Sequence, residues 1–192
     1  MPNPKRANRT GFYSLVMMLN GFLIVMFQVV TTPAPTVRAY EAPRPVVRKV
    51  VAVESGTPNR LVVESVGIDI PVGVGTYNQD TGEWTLGNDQ VYYADTSVPV
   101  NNNNGITLIY GHAQDGLFGS LSGMQVGATA TVYTDKGQLF HYRFEAMKQL
   151  DPADTSIFTS TGPPTLTLQT CAGEWDAYRA MYTFQFAGHE NA

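Results

Sequence analysis

One thiol, three imidazoles and a few guanidinium groups are what this 192-residue sequence offers for nucleophilic and acid–base work. The thiol, Cys171, closes the alternating run TLTLQTC, and Arg179 follows it in LTLQTCAGEWDAYR. A lone cysteine is usually a small buried hydrophobe without chemistry. It becomes a nucleophile where a neighbouring imidazolium or guanidinium favours the thiolate. His189 lies in a polar tail near the C-terminus, where fraying is expected, and His141 sits mid-strand in LFHYRF as an ordinary side chain. His112 differs: it ends GITLIYGH directly after Gly111, whose missing side chain lets other groups come close. An imidazole there can protonate a leaving amine. An arginine aimed at a reacting carbonyl would stabilise its oxyanion. Whether Cys171, His112 and Arg179 converge depends on the elements that carry them.

Eighteen glycines and twelve prolines, with 43% apolar and 15% charged residues, predict many turns around one core and an all-β domain. LVVESVGIDIPVGVG reads as two strands bent around Gly67, and Pro71 predicts an edge or a bulge. In GITLIYGH, Ile106, Leu108, Tyr110 and His112 share one face. GLFGSLSGM after it reads as a turn or short helix. TATVYTDKGQLFHYRFEAM is a hairpin turning at Asp135-Lys136-Gly137. TLTLQTC and RAMYTFQF supply the last strands, the first placing Thr167, Gln169 and Cys171 on one face. In the second, Ala180, Tyr182, Phe184 and Phe186 face inward, which turns Arg179 outward with Met181, Thr183 and Gln185. Seven or eight such strands without long helical periodicity predict a closed or nearly closed barrel.

Charge divides the chain. Seven of its twelve basic residues precede residue 58, leaving five against fourteen acids beyond it, a net charge of −9. A domain this acidic repels phosphate backbones, so nucleic acid is not an expected partner. One cysteine excludes an intrachain disulfide, and no Cys/His cluster has zinc-site spacing. Residues 12–30, FYSLVMMLNGFLIVMFQVV, are uncharged. As a helix they would span roughly 28 Å, close to a bilayer core. The expected organisation is a cytoplasmic tail at 1–11, a transmembrane anchor at 12–31, a Pro-rich spacer at 32–58 and a catalytic domain at 59–192. A cleaved signal peptide ending near Val37-Arg38-Ala39 is the competing reading, although the apolar run is long for one. Basic residues flank the segment on both sides, so orientation rests on the short tail staying inside and the large domain crossing.

RLVVESVGIDIPV, ITLIYGH, LFGSL, VGATATVYT, LFHYRF and TLQTC with its downstream arginine occur in this order over about residues 60 to 186. In this the sequence resembles the sortases, membrane-anchored cysteine transpeptidases of bacterial surfaces. The resemblance implies an eight-stranded β-barrel with short helices or turns behind an N-terminal transmembrane helix, at the cell membrane with the domain outside. It implies Cys171 as nucleophile, His112 as general acid/base and Arg179 as oxyanion or substrate support. Thr170, Gln169 and Trp175 are expected to touch substrate. The implied partners are secreted proteins with a C-terminal LPxTG-like sorting motif and an amine acceptor, from peptidoglycan precursor or a pilin lysine. Tyr110 departs from the pattern, standing where many sortases carry a small or apolar residue, and AGEWDAY is a short loop. No cofactor is expected; Glu83, Asp89, Glu145 and Asp151 are acids from which a calcium site would have to be built. The competing functions are a peptidase that only hydrolyses and a non-catalytic anchored β-barrel binding module.

Overall fold

Asp135-Lys136-Gly137 does turn the chain: Gly137 takes a left-handed φ of 70° and its N–H donates to the Thr134 carbonyl at 3.1 Å. A computed structural model describes residues 53–159 and 161–191. The tail, the anchor and most of the spacer lie outside the described residues. Among the described residues no helix is long and apolar enough to cross a membrane.

Among the described residues, twelve strands follow in order: β1 (Ser55–Gly56), β2 (Pro58–Val63), β3 (Ile68–Gly75), β4 (Tyr77–Asn78), β5 (Glu83–Trp84), β6 (Val91–Ala94), β7 (Val100–Asn101), β8 (Ile106–Tyr110), β9 (Thr129–Thr134), β10 (Gln138–Leu150), β11 (Thr165–Ala172) and β12 (Tyr178–Asn191). Eight of them close a barrel in the order β10-β12-β11-β8-β6-β3-β2-β9. The pairs β3/β6 and β8/β11 are parallel and the rest antiparallel. The other four make two small two-stranded sheets, β1/β7 and the hairpin β4/β5. The expected barrel is therefore present, and its fold reaches back to Ser55, inside the stretch expected as spacer.

Alternation builds two apolar layers rather than one. Inward residues such as Leu61, Ile109, Val132, Phe140, Leu166, Leu168 and Phe184 are sealed inside the barrel. On the outer wall, Tyr92, Ala94, Leu108, Tyr110 and Met181 form a second cluster, with Trp84, Leu150, Ile157 and Phe158 packed on it. The strand β8 is consequently buried on both faces, as parallel strands usually are.

Three expectations are corrected. Pro71 lies in an interior strand: it pairs with Arg60 of β2, and pairing with β6 begins only at Val72, so no N–H is missed on that side. β12 runs past Phe186 to Asn191 because the first half of β10 offers it a partner, with Phe140 opposite His189. His189 is thus not frayed; its ring stacks on Phe140 at 5.6 Å. His141 is not idle either, since its Nδ1 lies 3.1 Å from Thr131 Oγ1 and its Nε2 3.4 Å from Glu190. GLFGSLSGM forms a 3-10 helix at Gly119–Gly123 whose approach, Leu117 and Phe118, is buried in the barrel.

Candidate active site

Register brings the three reactive side chains to one end of adjacent strands. Cys171 of β11 stands directly opposite Arg179 of β12. On the other side β11 runs parallel to β8, with Gln169 opposite Tyr110. Each chain continues two residues further, to Cys171 and to His112. His112 lies just beyond the strand rather than at its last residue, because β8 ends at Tyr110. The ladder is prolonged by one bond: the Gly111 N–H donates to the Gln169 carbonyl at 3.1 Å. Gly111 is needed for this approach, since a Cβ there would stand 2.7 Å from Val91 Cγ1.

Cys171, His112 and Arg179 all border one groove of about 580 Å³ on the outer wall of the barrel. Its base is the second apolar layer, Leu108, Tyr110 and Met181, and the acids Glu83, Asp151 and Asp154 also border it. One wall is an aromatic chain: Trp84 meets Tyr110 edge-on at 5.5 Å and stacks on Phe158 at 5.9 Å. Tyr110 is pinned there by its hydroxyl, which donates to the Thr85 carbonyl at 2.7 Å. The residue that departs from the family pattern therefore holds the β4/β5 hairpin against the groove.

The thiol is half-buried and free. Burial pushes its pKa up, the Arg179 guanidinium opposite it pulls the other way, and the Asp176 carboxylate adds to the rise. Neutral thiol is the resting form that these influences favour. Arg179 is steadied by its own loop, donating from Nη1 to the Asp176 carbonyl at 3.3 Å.

The expected substrate-contacting residues divide. Gln169 borders the groove, half-buried. Thr170 also borders it but is only 5% exposed, and its hydroxyl donates to the Gly111 carbonyl at 2.9 Å. Trp175 is 98% exposed and does not line the groove. It sits in the β11–β12 turn with a left-handed backbone, φ 58°, followed by Asp176 at φ 57°. Of the four acids singled out for calcium, Glu83 and Asp151 border the groove, and Glu145 accepts a bond from Gln185 at 2.8 Å. Among the described residues, no three His, Cys, Asp or Glu side chains are grouped to hold a metal ion. The sequence reading missed the Trp84–Phe158 wall and the influence of Asp176 on the thiol. Leu108 and Met181, apolar residues on outward faces, were the signal that something covers this part of the wall.

The family model described as Sortase domain matches residues 61–185. No curated protein sequence matches the chain. Among solved structures, sortase A from Listeria monocytogenes is 20% identical, with 72% of this chain and 92% of that one covered at a TM-score of 0.58. Sortase E1 from Streptomyces coelicolor with a tripeptide in the active site is 17% identical, covering 71% of this chain and 91% of that one at 0.56. Sortase C from Streptococcus pneumoniae is 19% identical, covering 70% of each at 0.57. At such identities the likeness to these structures speaks for the fold.

Proposed function

The chain belongs to the sortase family, and from that premise we propose that it is a cysteine transpeptidase acting on a C-terminal LPxTG-like sorting motif. The observation that carries this reading is the register that sets Cys171 opposite Arg179 and two residues past the Gln169–Tyr110 pair, level with His112. The substrate peptide lies in the groove, and the Cys171 proton passes to His112 as Sγ attacks the carbonyl carbon of the motif threonine. The oxyanion forms beside the Arg179 guanidinium, which stabilises it where charge develops. His112 returns the proton to the departing glycine nitrogen, the C–N bond breaks, and a Cys171 thioester remains. An acceptor amine then attacks the thioester and gives a proton to His112, and the collapse of the adduct releases the thiol and a new amide.

The acceptor is an amine from peptidoglycan precursor or a pilin lysine, and the donors are secreted proteins. The uncharged stretch at 12–31 anchors the domain at the cell membrane, with the catalytic part outside. Membrane fractionation of the full chain, combined with protease accessibility of intact cells, should place it in the pellet with a cleavable domain. The activity is tested by offering a library of sorting peptides with triglycine or a lysine peptide. The reading expects ligated product whose yield rises with amine concentration. Hydrolysed peptide alone at saturating amine would leave a peptidase, and no consumption of any peptide would leave a binding module.

A further inference from the structure

The bond between the two strand ends is not made by the reacting side chains. We propose that Thr170 is a positioning residue, which sets where the His112 imidazole stands relative to the Cys171 thiol by holding the Gly111 carbonyl. The proposal rests on the roles given above to Cys171 and His112.

Both peptide groups of Gly111 are tied to β11. Its N–H donates to the Gln169 carbonyl at 3.1 Å, and its carbonyl accepts from Thr170 Oγ1 at 2.9 Å, across 59 residues of sequence. That carbonyl belongs to the peptide unit ending in the His112 nitrogen, so the Thr170 hydroxyl orients the plane immediately before the His112 Cα. On the far side, the His112 carbonyl accepts from the Phe118 N–H at 3.1 Å, and Phe118 is anchored in the core. The backbone on both sides of His112 is clamped, and this sets the direction of its side chain. Thr170 is itself the residue before the nucleophile, so one side chain couples the two reacting groups. A hydroxyl has a single proton to donate. Here it goes to Gly111, and Thr170 is buried, which argues against the substrate contact that the sequence suggested for it.

Valine has nearly the shape of threonine without the donor. Thr170→Val therefore leaves the packing and strips the Gly111 carbonyl of its partner. Displacing a reacting group by about 1 Å costs up to about a hundredfold in rate, so kcat for peptide–triglycine ligation by the full chain should fall about 10- to 100-fold. KM for the peptide should stay within about twofold, because a displaced His112 impairs proton transfer in the chemical step and not the holding of the peptide. Thr170→Ser should restore kcat to within about threefold of the parent. With 13C-labelled imidazoles, the His112 resonance (assigned from its loss in His112→Asn) should move in Thr170→Val and stay in Thr170→Ser. The His141 and His189 resonances should stay in both. Should the valine variant not fold, Thr170→Ala carries the same expectations.

Unchanged kcat, a loss confined to KM, a serine variant as poor as the valine one, or an unmoved His112 resonance would each overturn the proposal. If the parent chain ligates no peptide, the transpeptidase reading fails, and the His112 resonance alone still decides whether Thr170 positions it.

Discussion

At Cys171, burial and the Asp176 carboxylate hold the proton on, while Arg179 favours its loss. The neutral thiol is therefore favoured at rest, and in the proposed mechanism His112 takes its proton when substrate arrives. Alkylation of this single thiol by iodoacetamide should be slower at pH 8 than for free cysteine. It should keep rising as pH passes the ordinary thiol value, because the folded pKa is raised. Removing the lowering influence in Arg179→Gln should slow alkylation at pH 8, and removing a raising one in Asp176→Asn should speed it, each by about threefold. Equal rates in both variants and the parent would mean that neither charge acts on the sulfur. The raising influence of Asp176 was invisible in the sequence, where it was one acid in a short loop and only His112 and Arg179 were weighed as neighbours of the thiol.

The elements explain why the reactive residues meet on the outer wall. Gly75 ends β3, and a Cβ there would overlap the Tyr110 hydroxyl. Gly75→Ala should cost about 1–3 kcal/mol by overpacking. It should also raise KM for the peptide, since Tyr110 would lose its hold on the Thr85 carbonyl and on the β4/β5 hairpin. Thermal unfolding and steady-state kinetics on one preparation read both. In the β11–β12 turn, Trp175 and Asp176 occupy left-handed backbone that costs a non-glycine residue about 1–2 kcal/mol. Trp175→Gly should therefore raise the melting temperature by a few degrees, because a 98% exposed indole loses little burial. A rise in peptide KM in the same variant would make Trp175 a substrate contact; unchanged KM would make it scaffold only. Period-two alternation made β8, β11 and β12 legible in the sequence, including the outward turn of Arg179. It did not reveal that β12 continues to Asn191, since that pairing depends on residues of β10 some 50 positions earlier. Nor did it reveal the second apolar layer. Trp84 lies more than 60 residues before Leu150 and Phe158, and their meeting follows from barrel closure rather than local pattern.

At the scale of the whole molecule, a closed barrel with no unpaired edge gives a rigid wall on which two loops, around Trp84 and around Phe158, build the groove. Because Trp84 belongs to the outer layer, Trp84→Ala should leave barrel strand content unchanged by circular dichroism while raising peptide KM about tenfold. Loss of the fold itself would contradict the separation of the two layers. Seven of the twelve cations precede residue 58, and the net charge of −9 beyond it would favour the approach of the amine acceptor proposed above. The central claim is that Cys171 carries the donor as a thioester. Its most direct test is intact-protein mass spectrometry of the full chain mixed with an LPxTG-type peptide and no amine. The account predicts an adduct equal to the peptide up to its threonine, located on Cys171, missing in Cys171→Ala and discharged as ligated peptide when triglycine is added. Turnover of the peptide by Cys171→Ala at the parent rate would contradict it.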